Sequence, residues 1–138
     1  MTLKDFLNTN DRFAAQTGAE LTEIREGYAR AEMTVTANHL NGGGVCQGGA
    51  LFTLADLAFA AVTNSHGALS LGIESHIVYS RSAQLGDRLT AEAREIAPHH
   101  RLPYCEVKIS NQRGELLCSF TGIAYSKSGQ QLPVDGLM

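Results

Sequence analysis

The chain has 138 residues, 43% of them hydrophobic and 18% charged, and a formal net charge of −3. That length and composition suit one domain with a real core and argue against disorder. With no long basic run, nucleic acid is not an expected partner, while room remains for a local basic pocket.

The first residues, MTLKDFLNTNDRFAAQTG, lack a basic segment followed by an apolar run, so no secretory signal is expected. Asp11 suits the N-cap of a short helix over 12–16, closed by Gly18. A strand is expected at 21–25, then the turn pair Glu26-Gly27, then a second strand at 28–35. In that second strand Ala29, Ala31, Met33 and Val35 point one way, and Tyr28, Arg30, Glu32 and Thr34 the other. Period two marks a half-buried strand, and Glu-Gly makes the pair a hairpin.

Residues 37–47, ANHLNGGGVCQ, read as a loop, because three glycines in a row, 42 to 44, suit a backbone of unusual dihedrals. The run 48–62 that follows is apolar except for Thr53 and Asp56. A helix apolar on all sides is expected to be buried. At 15 residues with an acid inside, it is no membrane span. Gly67 is the expected C-terminal cap. Strands are expected at 69–80, 87–96, 103–110 and 116–126, punctuated by Gly86-Asp87, Pro98-His99-His100 and Arg113-Gly114. No internal repeat is visible. One domain over 1–127 and a loose tail over 128–138 follow. A long buried helix with about six strands and no βαβ alternation is an α+β fold. Its simplest form is an antiparallel sheet curled around the helix.

Candidate chemistry is sparse. No G-x-S-x-G elbow is present. The five histidines show no metal spacing, so no metal site is expected. The three cysteines, Cys46, Cys105 and Cys118, include no C-x-x-C pair. They read as free thiols in a reducing compartment, and a soluble cytoplasmic protein follows. Cys46 lies in the glycine loop, with His39 and His66 as conceivable partners. It reads as a small buried residue rather than a nucleophile.

The helix start is more informative. Gly48 and Gly49 leave backbone N–H groups uncovered at the positive end of a helix dipole, a place for an anion or a developing oxyanion. Asp56 is the lone acid of the same helix, and buried acids without a basic neighbour point to function. Eight residues separate Gly48 from Asp56, roughly 12 Å along a helix axis. One chain does not easily supply both groups to one reacting carbonyl. Two antiparallel copies of the helix do, which predicts a two-fold dimer with two composite sites.

The pattern His39-x-Asn41-x-x-Gly44-x-x-Gln47-Gly48-Gly49, followed by Leu54-Ala55-Asp56, resembles the hotdog-fold acyl-CoA thioesterases of the phenylacetate-degradation type. The stretch HIVYSRSA over 76–83 and the turn Gly86-Asp87-Arg88-Leu89-Thr90-Ala91 are similar to that family's next strand end and turn. The likeness runs from about residue 10 to 127. It implies a hotdog fold, the helix wrapped by the sheet, and dimers often paired into tetramers. Asp56 would attack the thioester or activate water. The Gly48 N–H would polarise the thioester carbonyl, Asn41 would position water or the carboxylate, and Gly49 would contact the substrate. Arg81 would meet the phosphates of coenzyme A, which enters as part of the substrate and not as a bound cofactor.

Two residues depart from the family. Gln47 stands where histidine usually precedes Gly-Gly, and glutamine cannot titrate. Ser82 replaces a proline. A small aromatic or medium-chain acyl group is the expected cargo, and Phe52, Leu57 and Phe59 line either the core or the acyl pocket. Rival readings are a hotdog hydroxyacyl-thioester dehydratase, which would want a histidine at Gln47, and a non-catalytic acyl-CoA binder.

Overall fold

The computed structural model describes all 138 residues. Six strands form one antiparallel sheet. They are β1 (Glu20–Arg25), β2 (Tyr28–Thr34), β3 (Leu69–Tyr79), β4 (Arg88–Ala97), β5 (Tyr104–Ser110) and β6 (Leu116–Lys127). Their order across the sheet is β1-β2-β4-β5-β6-β3. The helices are α1 (Leu3–Asn10), α2 (Arg12–Thr17) and α3 (Gly48–Thr63), and α3 lies in the concave face, against all six strands.

Small residues let the sheet close on the helix. Ala29 pairs with Ala93 and Ala31 with Ala91 across β2 and β4, and all four are buried. They leave space that Leu51, Leu54 and Leu57 of α3 help to fill. On the other flank Phe59 of α3 lies against Gly122 of β6, where an added Cβ would meet its ring at 2.8 Å. Phe52 and Phe59 both pack against Phe120, at centroid distances of 5.4 and 5.5 Å.

The expected α+β fold is present, with Asp11 capping α2 through Ala14 N–H and Gly18 closing it at φ 90°. Four features differ from the sequence reading. The first is α1, which the sequence reading leaves out. Thr2 caps it by accepting from Asp5 N–H, and Asn8 docks it onto β1 by exchanging two hydrogen bonds with the Leu21 backbone.

The second is the tail over 128–138, which is not loose. It holds no helix or strand, yet the Gly136 and Leu137 carbonyls accept from Leu3 and Lys4 N–H. Those donors belong to the first turn of α1 and have no partner within the helix. Leu132, Val134 and Leu137 pack on the core beside them. The third is the end of α3. Asn64 caps it, and its buried amide exchanges bonds with the Ser70 backbone at 2.9 and 3.1 Å. Gly67, at φ 100°, only turns the chain afterwards.

α3 is also not buried on every side. Gly49 and Asp56 are exposed, and Phe52, Thr53 and Ala60 are half-buried, all on one face. The sheet ends at the free edges of β1 and β3, and the strip of helix between them stays open. β3 flanks that strip with Leu71, Ile73, Val78 and Tyr79 exposed. No helix is long and apolar enough to cross a membrane.

Candidate active site

The loop before α3 is built by its own polar groups. Asn41 Oδ1 accepts from Gly43 N–H at 2.9 Å and from Val45 N–H at 3.2 Å. Gly44 takes φ 83°, which glycine adopts without strain. His39 ties the loop to α2. Its Nδ1 accepts from Thr36 N–H, so Nε2 carries the proton and donates it to the Thr17 carbonyl at 2.6 Å. With both ring nitrogens engaged, His39 is no partner for Cys46.

Gln47 is the N-cap of α3. Its Oε1 accepts from Gly49 N–H at 2.9 Å. The Gly49 donor, open in the sequence reading, is therefore taken. The Gly48 N–H has no acceptor in the chain. It borders a cleft of about 420 Å³ lined also by Asn41, Cys46, Tyr79 and Arg81. A wider groove of about 900 Å³ lies beyond the loop, between α2 and the first turns of α3, lined by Phe13, Thr17, Asn41, Gln47, Gly49 and Thr53. Asn41 belongs to both. Its oxygen is committed to the loop, which leaves its Nδ2 as the group free to donate.

Asp56 borders neither of these openings. Its carboxylate is exposed, against what its apolar neighbours along the helix suggest, and has no hydrogen bond and no cation beside it. Packing around it and then the charge of Asp11 push its pKa up from the ordinary carboxylate value. The influence of Asp11 has no signal in the sequence beyond its capping role. It arises because α2 packs against α3.

The structure thus groups Gly48, Asn41, Gln47 and Arg81 at one end of α3 and keeps Asp56 apart. Arg81 pairs with Glu115 at 3.2 Å while remaining more than half exposed, a weak and exchangeable contact. Ser70 is buried against Ser126 at 2.7 Å and faces no opening beside α3. Cys46 is buried, and burial pushes its thiol up, against a nucleophilic role. His66 bonds to Glu95 at the far end of the helix. No group of three or more His, Cys, Asp or Glu side chains converges on a metal position.

Residues 43–118, from the glycine loop into β6, match the model of the Thioesterase superfamily. A protein of Archaeoglobus fulgidus carrying an esterase name is 40% identical over 123 residues, 89% of this chain and 80% of that one. The acyl-coenzyme A thioesterase PaaI of Escherichia coli is 36% identical over 120 residues, 87% of this chain and 86% of its own. The solved structure of that E. coli protein, from the phenylacetic acid degradation operon, superposes with a TM-score of 0.85, covering 94% of this chain and 99% of the other at 32% identity. A Streptococcus pneumoniae protein carrying the name hypothetical thioesterase, solved with coenzyme A, superposes with a TM-score of 0.81 over 91% of this chain and 99% of its own, at 27% identity.

Proposed function

The chain belongs to the thioesterase superfamily, and from that premise we propose that it hydrolyses an acyl-CoA to a free acid and coenzyme A. One observation carries the reading. α3 presents an N–H without an acceptor at Gly48 and, eight residues on, a carboxylate without a counter-ion at Asp56. The first is suited to a thioester oxygen and the second to removing a proton.

These groups meet when two copies associate. The long β3 edge has no neighbour, and its exposed apolar side chains favour covering by a second copy. In such a two-fold dimer the Gly48 N–H of one protomer and the partner's Asp56 bracket one carbonyl. The partner's Asp56 takes a proton from water, and the water oxygen bonds to the carbonyl carbon. The C–O π electrons move onto the oxygen, held by Gly48 N–H. That oxyanion collapses, the C–S bond breaks, and the coenzyme A sulfur leaves with the proton from Asp56. Direct attack by the carboxylate, through an anhydride that water then opens, uses the same groups. Gln47 fixes the helix start, Gly49 borders the substrate, and Asn41 holds the loop and offers its amide to water.

Coenzyme A enters as part of the substrate, with Arg81 exchanging Glu115 for a phosphate. The named activity of the E. coli relative and the coenzyme A in the pneumococcal structure support this substrate class. A small aromatic or medium-chain acyl group is the proposed cargo. Three free cysteines fit a reducing cytoplasmic setting, and dimers paired into tetramers are the proposed assembly.

The test is a thiol-trapping assay with phenylacetyl-CoA, octanoyl-CoA and hydroxyacyl-CoA. Release of thiol that disappears in Asp56→Asn supports hydrolysis. Binding without release means a non-catalytic carrier. Loss of water from the hydroxyacyl thioester means a dehydratase.

A further inference from the structure

We propose that Tyr79 is a positioning residue for the oxyanion-binding amide, holding the first turn of α3 against the end of β3 through Gly48. This inference rests on the hydrolase reading above and adds a residue to it. The Tyr79 hydroxyl donates to the Gly48 carbonyl at 3.0 Å. The same ring lies so close that a Cβ at Gly48 would meet its Cζ and its hydroxyl oxygen at 3.0 Å each. Gly48 therefore meets one side chain twice, once by hydrogen bond and once against the hydroxyl end of the ring.

Gly48 carries the single N–H of the helix start that nothing in the chain occupies, while Gly49 is capped by Gln47. Cap and tyrosine act on opposite sides of the same two residues. Gln47 fixes the loop side, and Tyr79 fixes the strand side. Tyr79 also walls the cleft that Gly48 shares with Arg81 and Asn41. On the inner side of β3 it stands opposite Cys118 of β6, in a regular stretch of ladder. A strand end thereby joins a helix end through one hydrogen bond. An oxyanion donor is useful only when it is fixed before charge develops.

The hydroxyl is spent on the Gly48 carbonyl, so its loss is expected to act through the aim of the amide. Tyr79→Phe keeps the ring and removes the hydroxyl. Steady-state kinetics with phenylacetyl-CoA and octanoyl-CoA are expected to show kcat lower by about five- to tenfold, the size of one hydrogen bond, with KM within about twofold. Amide hydrogen exchange over 47–51 is expected to quicken while the melting temperature is unchanged. An unaltered kcat in an active enzyme, a loss appearing only as a higher KM, or unchanged exchange over 47–51 overturns the role of Tyr79 and leaves the hydrolase reading standing. A wild-type protein that releases no thiol overturns both.

Discussion

The side-chain oxygen of Gln47 accepts the Gly49 N–H at 2.9 Å, while the Gly48 N–H one residue earlier meets no acceptor. The start of α3 is thus divided into a donor spent on structure and a donor left without a partner in the chain. Glutamine suffices for the structural half, since only an accepting oxygen is needed. Gln47→Ala is expected to lower stability by about 0.5–2 kcal/mol, as other N-cap losses do, and to slow turnover. Gln47→His, with a ring nitrogen able to accept the same N–H, is expected to keep kcat within a few-fold of wild type. Thermal melts and kinetics of the two variants check this. A collapse of activity in Gln47→Ala with no loss of stability would give Gln47 a direct chemical role instead.

Much of this site is legible in the sequence, and the reasons for the rest are physical. Local rules suffice where one residue settles a local geometry. Asp11 and Gly18 bound α2, Glu26-Gly27 turns the first hairpin, and Gly86-Asp87 marks the turn before β4. The lone acid in an apolar run singles out Asp56 by composition alone. What escapes depends on distant segments. α1 is held by Leu21 and by the chain's last residues, far from it in sequence. Asn41 and Gln47 lie at the start of α3 as the motif spacing predicts, yet their oxygens are committed to neighbouring N–H groups, which no spacing reveals. The exposure of Asp56 follows from where the sheet stops. Apolar neighbours along the helix cannot report that.

Asp56→Asn is expected to abolish turnover and, at neutral pH, to raise stability. Packing and then Asp11 raise the carboxyl pKa in the fold above its value in the unfolded chain. The folded state therefore disfavours the charged form. That penalty is absent below the unfolded value of about 3.9 and complete above the folded one. Melting temperatures of the variant should exceed wild type at pH 7.5, and the gap should close as pH falls towards 4. A variant less stable than wild type at pH 7.5 contradicts the absence of a favourable partner for this carboxylate.

Asp11→Asn separates the two causes of that shift. Asparagine retains the N-cap of α2, so the fold should be preserved. It removes a negative charge that opposes ionisation of Asp56. In the proposed mechanism the base must be ionised, so kcat/KM is expected to fall on the acid side as Asp56 protonates. Without Asp11 the Asp56 pKa drops, and the acid limb of the pH–rate profile moves to lower pH. The plateau should change little. A limb that stays in place means Asp11 is not felt at the reacting group.

The composite site itself is testable by mixing two inactive proteins. Gly48→Pro removes one N–H at the first position of a helix, where proline is favoured. The preceding Gln47 is already extended, at φ −66° and ψ 138°, as a residue before proline must be. The ring contact with Tyr79 must yield by a few tenths of an ångström, which an exposed tyrosine allows. Asp56→Asn removes the proposed base. Each variant alone is expected to be inactive, since every site in its homodimer lacks one group. In a mixed dimer the Gly48 of the Asp56→Asn chain meets the intact partner's Asp56, and one of the two sites is whole. After random exchange about half of the dimers are mixed, so recovery to about a quarter of wild-type activity is expected. Were both groups to act within one chain, mixing would restore nothing, because neither protein carries the pair.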